Sequence, residues 1–285
     1  MKIAHLILAH SHPEQLEKVI ERLHYLEDLY YIHIDAKQDI APFKRLERFS
    51  NVFFIKKRVK VYWGAYSIVQ ATLNGFEEMV ASGKQFDYVN LLSGQDYPLQ
   101  DICFIHEYLS ANYGCLFMQY YSVNEAWQEA IPRITRYHLI NYNFPGKHKA
   151  ERILNAVLPR RKMPDNLIPV GRSQWFTITT AAVTFILYYL EKHPEVTRFF
   201  KLTWAPDELI FQTILYNSHF RERMVNNNLR FIDWSEGKAS PKIFTMQDLH
   251  RLQNSGCLFA RKLDMNTDNS LFNAIDNYIS IATKV

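Results

Sequence analysis

In the first hundred residues short apolar runs alternate with helical stretches, and the runs are apolar at nearly every position. Ile3–Ala9 reads as a strand. Residues 13–26 have helical spacing at Leu16, Val19, Ile20 and Leu23, with Pro13 near the first turn, where its missing N–H costs nothing. Residues 29–35 read as a second strand that ends on Asp35, and residues 52–55 as a third. Residues 66–80 are helical, and residues 88–92 form a strand closing on Ser93-Gly94-Gln95-Asp96-Tyr97-Pro98. Strands apolar on both faces need cover on both. The β-α-β-β-α-β order therefore predicts an α/β fold with a Rossmann-like, largely parallel sheet flanked by helices. Ligands bind such sheets outside the carboxyl ends of the strands. Asp35 and residues 93–96 stand at that edge. No GxGxxG or Walker sequence follows the first strand, which argues against a dinucleotide or P-loop site.

The second half is less regular. Residues 116–119 and 175–178 read as strands. Residues 120–172 are aromatic and basic with weak periodicity, and read as loops that shape an acceptor site. Residues 207–216 are helical, 229–234 a strand, and 246–252 and 269–281 helical. No linker separates independent units, so 1–285 reads as one domain, with a nucleotide-binding half (1–100) and an acceptor and catalytic half (101–285). With only 9 Gly and 11 Pro in 285 residues, the chain is neither disordered nor of low complexity.

Two segments carry the chemistry. Glu208, in Trp204-Ala205-Pro206-Asp207-Glu208, stands at the expected start of a buried helix. An acidic residue there also opposes the helix dipole, a task Asp207 can take, leaving Glu208 free. Arg261 and Lys262 follow Leu258-Phe259-Ala260, two cations among apolar residues. A carboxylate to take a proton and fixed cations to hold a diphosphate suit a sugar transferase that works without a metal. Tyr62-Trp63-Gly64-Ala65-Tyr66-Ser67 offers flat rings for a base or sugar, or simply core aromatics at a helix start. Gln95 and Asp96 fit an acceptor loop or an ordinary turn. No metal site is expected: there is no Asp-X-Asp and no HExxH, and residues 264–268 lack the glycine and distal glutamate of a calcium loop.

The net charge of +4 comes with two basic clusters, residues 56–60 and 160–162, suited to phosphates or an anionic membrane surface as well as to plain solvation. No nucleic-acid motif accompanies them, so no nucleic-acid partner is expected. Three cysteines without a CxxC pair point to a reducing compartment. No signal peptide is recognised, and residues 181–190 are about half of the ~20 needed to span a bilayer. The expectation is a cytoplasmic protein, with peripheral contact at the inner face of the membrane. Nothing in the sequence specifies an oligomeric state.

Together the motifs form a set. Residues 4–10, 31–37 (YIHIDAK), 62–67 (YWGAYS), 86–98 (FDYVNLLSGQDYP), 171–177 (GRSQWFT), 205–211 (APDELIF), 232–241 (IDWSEGKASP), 247–251 (QDLHR) and 258–264 (LFARKLD) resemble, in the family's order, the core-2/I-branching glycosyltransferases and peptide O-xylosyltransferases of glycosyltransferase family 14. The ending from Asp233 on looks closer to the xylosyltransferases. The resemblance implies a GT-A-type fold, inverting transfer from a UDP-sugar of the GlcNAc or xylose class to a glycan or lipid-linked saccharide, and no cofactor. It places Ala9 and Asp35 at the uridine, and Val61, Tyr62 and Trp63 around the nucleotide-sugar. Ser173, Gln174, Trp175 and Phe176 would lie near the sugar, Ser240, Arg261 and Lys262 at the diphosphate, and Glu208 would be the base. The family's animal members carry a membrane anchor, stem and luminal disulfides not seen here, and Gln174 stands where xylosyltransferases have an acid. A catalytically silent nucleotide-sugar or glycan binder on the same fold, and a UDP-sugar hydrolase, remain alternatives.

Overall fold

Alternation along the first strand shows how both faces of the sheet are covered. In β1 (Ile3–Ala9), Ile3, Ile7 and Ala9 enter one core, while Ala4 and Leu6 enter another. The computed structural model describes residues 1–282. After β1 come α1 (Pro13–Arg22), β2 (Leu29–Ile34), β3 (Val52–Phe54), α2 (Tyr66–Ala81) and β4 (Tyr88–Ser93). Then follow β5 (Asp96–Pro98), α3 (Ile102–Ala111), β6 (Leu116–Ser122), α4 (Ile131–Thr135), α5 (Lys147–Val157) and β7 (Val170–Thr179). The rest is α6 (Thr180–Lys192), α7 (Pro194–Phe200), α8 (Ile210–Tyr216), β8 (Met224–Val225), β9 (Arg230–Ile232), α9 (Leu249–Gln253), β10 (Phe259–Arg261) and α10 (Asn269–Ala282).

The main sheet has the order β3-β2-β1-β4-β7-β6-β8. β3, β2, β1 and β4 run parallel, β7 is antiparallel to β4 and to β6, and β8 is parallel to β6. Helices α2, α6 and α8 cover one face; α1, α3 and α10 cover the other. The expected α/β class and largely parallel sheet are what the chain adopts. Because β7 is antiparallel to β4, its first residues reach the edge where β1 and β4 end.

A second sheet of three strands, β5-β10-β9, lies beyond that edge. β10 pairs Arg261 with Asp96 of β5 and with Ile232 of β9. Arg230 ties the two sheets. Its guanidinium is buried and donates to Asn90 Oδ1, to Leu91 O at 3.0 Å, to Phe176 O at 3.1 Å and to Thr177 Oγ1 at 3.1 Å.

Four expectations need correction. Residues 93–98 are not merely a loop, since β5 is built from their end. Residues 120–172 hold α4 and α5 and the start of β7. Helix α1 stops at Arg22, because Leu23 is the last buried position and Leu26 is exposed. Residues 207–216 are not one helix. Pro206–Glu208 forms a 3-10 turn, Leu209 (φ −128°) breaks the path, and α8 begins at Ile210.

Candidate active site

Strand β7 is the spine of the site. At Gly171 there is no room for a side chain: a Cβ would lie 2.1 Å from Glu208 O. The turn carrying Asp207 and Glu208 therefore rests directly on the strand. Four residues on, Trp175 lies under Arg261, whose guanidinium is 4.4 Å from the ring centroid. Between these two points β7 is irregular: from Phe176, opposite Met118, to Arg172, opposite Tyr120, four of its residues pass against two of β6.

Glu208 Oε2 accepts from Arg133 Nη1 at 2.5 Å. Its Oε1 makes no hydrogen bond within the described residues. About a quarter of the side chain remains accessible (27%). Burial raises the Glu208 pKa above the ordinary carboxylate value, against the pull of Arg133 and Arg172. Asp207 differs: it is buried, its Oδ1 has no partner among the described residues, and burial together with the Glu208 charge pushes it up to about 7. It does not take the dipole-opposing place expected of it, because it lies in the 3-10 turn ahead of Leu209 and not in the first turn of α8.

The guanidinium of Arg133 lies over Trp127 (4.7 Å) and Trp204 (4.4 Å). Arg172 pairs with Glu129 at 2.8 Å, which also accepts from Trp127 Nε1 at 2.9 Å. Tyr121, Ala126, Trp127, Gln128, Glu129 and Arg172 line a cleft of about 330 Å³. Sequence reasoning missed Arg133 and Trp127, which lie in the weakly periodic stretch. Their only signal was that stretch's aromatic and basic character.

The Tyr62–Trp63 loop is bound to the same turn. Ala205 N donates to Gly64 O at 2.8 Å, and Trp63 meets Trp204 edge-on at 5.5 Å. Gly64 (φ +69°) packs against the Trp204 indole, where a Cβ would be 2.9 Å from Nε1. Tyr62 and Trp63 are largely exposed. Asp35 anchors this loop from β2: its Oδ1 accepts from Lys37 N at 2.9 Å and Val61 N at 3.2 Å. Asp35 N in turn donates to Ala9 O at 2.9 Å, joining the ends of β1 and β2.

At the other end, Arg261 Nη1 donates to Asp96 Oδ1 at 2.8 Å, and Ser93 N donates to Asp96 Oδ2 at 3.0 Å. Gln95 O accepts from Leu263 N at 3.0 Å, and Gln95 Nε2 donates to Asp264 Oδ2 at 3.4 Å. Asp96 and Gln95 are thus committed to the cationic strand, not open to an acceptor as the loop reading had it. Lys262 makes no ion pair among the described residues. Burial and the neighbouring Arg261 hold its pKa below the usual lysine value, partly offset by Asp264. His10, at the end of β1, is held low by burial and by Lys262, with Asp35 opposing. Those couplings gather His10, Asp35, Arg261 and Lys262 around one edge. Gln15, buried on α1, fixes the segment after Lys262. Its Nε2 donates to Gly94 O (2.8 Å) and Leu263 O (3.1 Å), and its Oε1 accepts from Met265 N (2.9 Å).

The remaining expected residues divide. Ser173 Oγ accepts from Asn228 Nδ2 at 3.0 Å, and Gln174 is half-buried beside it on β7. Phe176 faces away: its fully buried ring packs with Phe76 and Phe211, so it acts on the site through packing alone. Ser240 is exposed, four residues before Phe244, whose N donates to Lys262 O at 2.9 Å. Outside this region, Asp165, His193 and Glu195 bring three ligand-type atoms together.

Strand β7 thus bears a partly accessible carboxylate, Glu208, at Gly171 and the Arg261 guanidinium at Trp175. The chain belongs to the Core-2/I-Branching enzyme family, whose model matches residues 3–253. It is 27% identical over 274 residues to Xylosyltransferase oxt of Drosophila pseudoobscura pseudoobscura, covering 88% of this chain and 30% of that protein. It is 24% identical over 307 residues to Xylosyltransferase 2 of Rattus norvegicus, covering 98% of this chain and 34% of that one. The chain thus spans about a third of the length of these relatives. Among solved structures, S. aureus TarS 1-349 in complex with UDP overlays with a TM-score of 0.37 and 13% identity, covering 79% of this chain and 57% of that one.

Proposed function

We propose that this chain is an inverting, metal-independent glycosyltransferase. It moves a sugar of the GlcNAc or xylose class from a UDP-sugar to a hydroxyl of a glycan or lipid-linked saccharide, in building a surface polysaccharide. Family membership and the xylosyltransferase relatives support the donor class. The observation that carries the reading is that one strand, β7, seats both groups: Glu208 rests at Gly171 and Arg261 lies over Trp175.

The acceptor enters by the cleft at Trp127 and Arg172, and its hydroxyl meets Glu208 Oε1. The acceptor oxygen bonds to the anomeric carbon as the bond from that carbon to the diphosphate oxygen breaks. Glu208 takes the hydroxyl proton, and UDP leaves with the electron pair. Arg133 orients the base, and the raised proton affinity of Glu208 suits it to proton transfer near neutral pH. Lys262 and Arg261 stabilise the growing charge on UDP, the task a divalent ion would otherwise perform. Asp207 is too buried to reach an acceptor.

Product analysis with UDP-GlcNAc and with UDP-xylose, each with and without a saccharide acceptor, tests the reading. Glycosylated acceptor should form, at a rate unchanged by excess EDTA. Glu208→Gln should lower turnover about 10²–10⁴-fold with little change in UDP binding. Equal sugar release without acceptor would mean a hydrolase, and loss in EDTA restored by Mn²⁺ would defeat the metal-free mechanism.

A further inference from the structure

Helix α5 (Lys147–Val157) has no buried residue. Its inner side is nevertheless occupied. Glu151 Oε2 accepts from Leu139 N at 2.8 Å, and Asn155 Oδ1 accepts from Tyr137 N at 2.8 Å. Its outer side presents Lys149 and Arg152 beside Ile153 and Val157, which are 52% and 75% exposed. Ile153 and Val157 are one helical turn apart and form a single strip. Phe144, just before the helix, is exposed as well.

The charge here has one sign. Between residues 140 and 163 the only acidic side chain is Glu151, and it faces inward. The two basic clusters singled out in the sequence fare differently. In 56–60, Glu78 accepts from the backbone of Lys56 and Lys57, Glu77 pairs with Lys57, and Arg58 donates to Ile34 O, Asp35 O and Gln38 O. In 160–162, Arg161 is buried against the carbonyls of Arg136 and Leu202, while Arg160 and Lys162 stay exposed beyond the end of α5.

We propose that the outer face of α5 is a docking element for an anionic lipid surface. Basic side chains flanking a short apolar strip match a bilayer interface, where anionic headgroups border acyl chains. A polyanion would use the cations and leave Ile153 and Val157 in water. The segments that precede the helix reach the site. Asn141 Oδ1, from the segment leading into α5, accepts from Tyr66 N at 2.8 Å, close to the Tyr62–Trp63 rim, and α4 supplies Arg133 to Glu208. Docking through α5 sets the acceptor cleft close to the headgroups.

Flotation with phosphatidylcholine vesicles, alone and mixed with phosphatidylglycerol, tests this without any substrate, so its outcome is separate from that of the transfer assay. The protein should float only with the anionic vesicles. Lys149→Ala/Arg152→Ala should weaken binding roughly 30-fold, about fivefold per basic residue at such a surface. Ile153→Ser/Val157→Ser should make the residual binding fully reversible by salt. All four positions are exposed, so melting temperature and transfer to a soluble acceptor should stay at wild-type values, which excludes misfolding. No binding, equal binding to neutral vesicles, or wild-type binding by both variants would overturn the proposal. So would lipid-free self-association abolished by Ile153→Ser/Val157→Ser, which would make the face an interface between copies.

Discussion

Two adjacent carboxyls in one turn do different work because one is reachable and the other is not. Asp207 has its folded-state pKa raised to about 7 from an ordinary 3.8. The folded protein therefore holds this proton more tightly than the unfolded chain. Its ionisation lowers stability progressively as pH rises through that window, and the loss is complete above it. Asp207→Asn removes the charge, so its melting temperature should exceed wild type at pH 8 and converge with it towards pH 4. Calorimetry across that range checks the sign, and a gap that widens on acidification would mean the ionised carboxylate supports the fold. Lys262 is the cation left without an ion pair among the described residues, and it is the one expected to take phosphate. Lys262→Ala should weaken UDP about 10- to 100-fold, the worth of a charge-assisted hydrogen bond, and leave uridine nearly unchanged. Equal losses for both ligands in titration calorimetry would make Lys262 a structural residue.

Strand β7 is the element that seats both Glu208, at Gly171, and Arg261, at Trp175. Adding one methyl at Gly171 must displace the Glu208 backbone, since the Cβ would sit 3.0 Å from Glu208 C and closer still to its oxygen. Gly171→Ala should cost about 1–3 kcal/mol in stability and cut turnover more than UDP affinity, because the cations lie four residues away. Unchanged kcat would show that Glu208 does not depend on this seat. Elements of this kind were unequally legible. β1, β2 and β4 stood out because both faces are buried and most positions are apolar. β5 and β10 did not, because three residues give no period, and β5 ends on a proline. Glu208, Arg261 and Lys262 could be singled out from motifs that are read without structure. Arg133 and Gln15 were not, because their partners lie 75 and about 250 residues away and no local pattern records such contacts.

At the scale of the whole molecule, the two sheets are joined across long stretches of sequence. The seven-stranded sheet is complete once Val225 is in place, whereas β10 threads between β5 and β9 and brings Arg261 to Asp96 from 165 residues away. α10 closes over that junction, with Tyr97 Oη donating to Asp276 at 2.7 Å. A polypeptide leaves the ribosome amino end first. The main sheet can therefore be assembled while the strand that carries both cations is still inside the exit tunnel. Glu208 and the Tyr62–Trp63 loop are likewise made before Arg261 and Lys262, so the proposed base precedes the proposed clamp on the growing chain. On the function proposed above, a sugar donor met before that segment emerges finds no cations to hold its diphosphate.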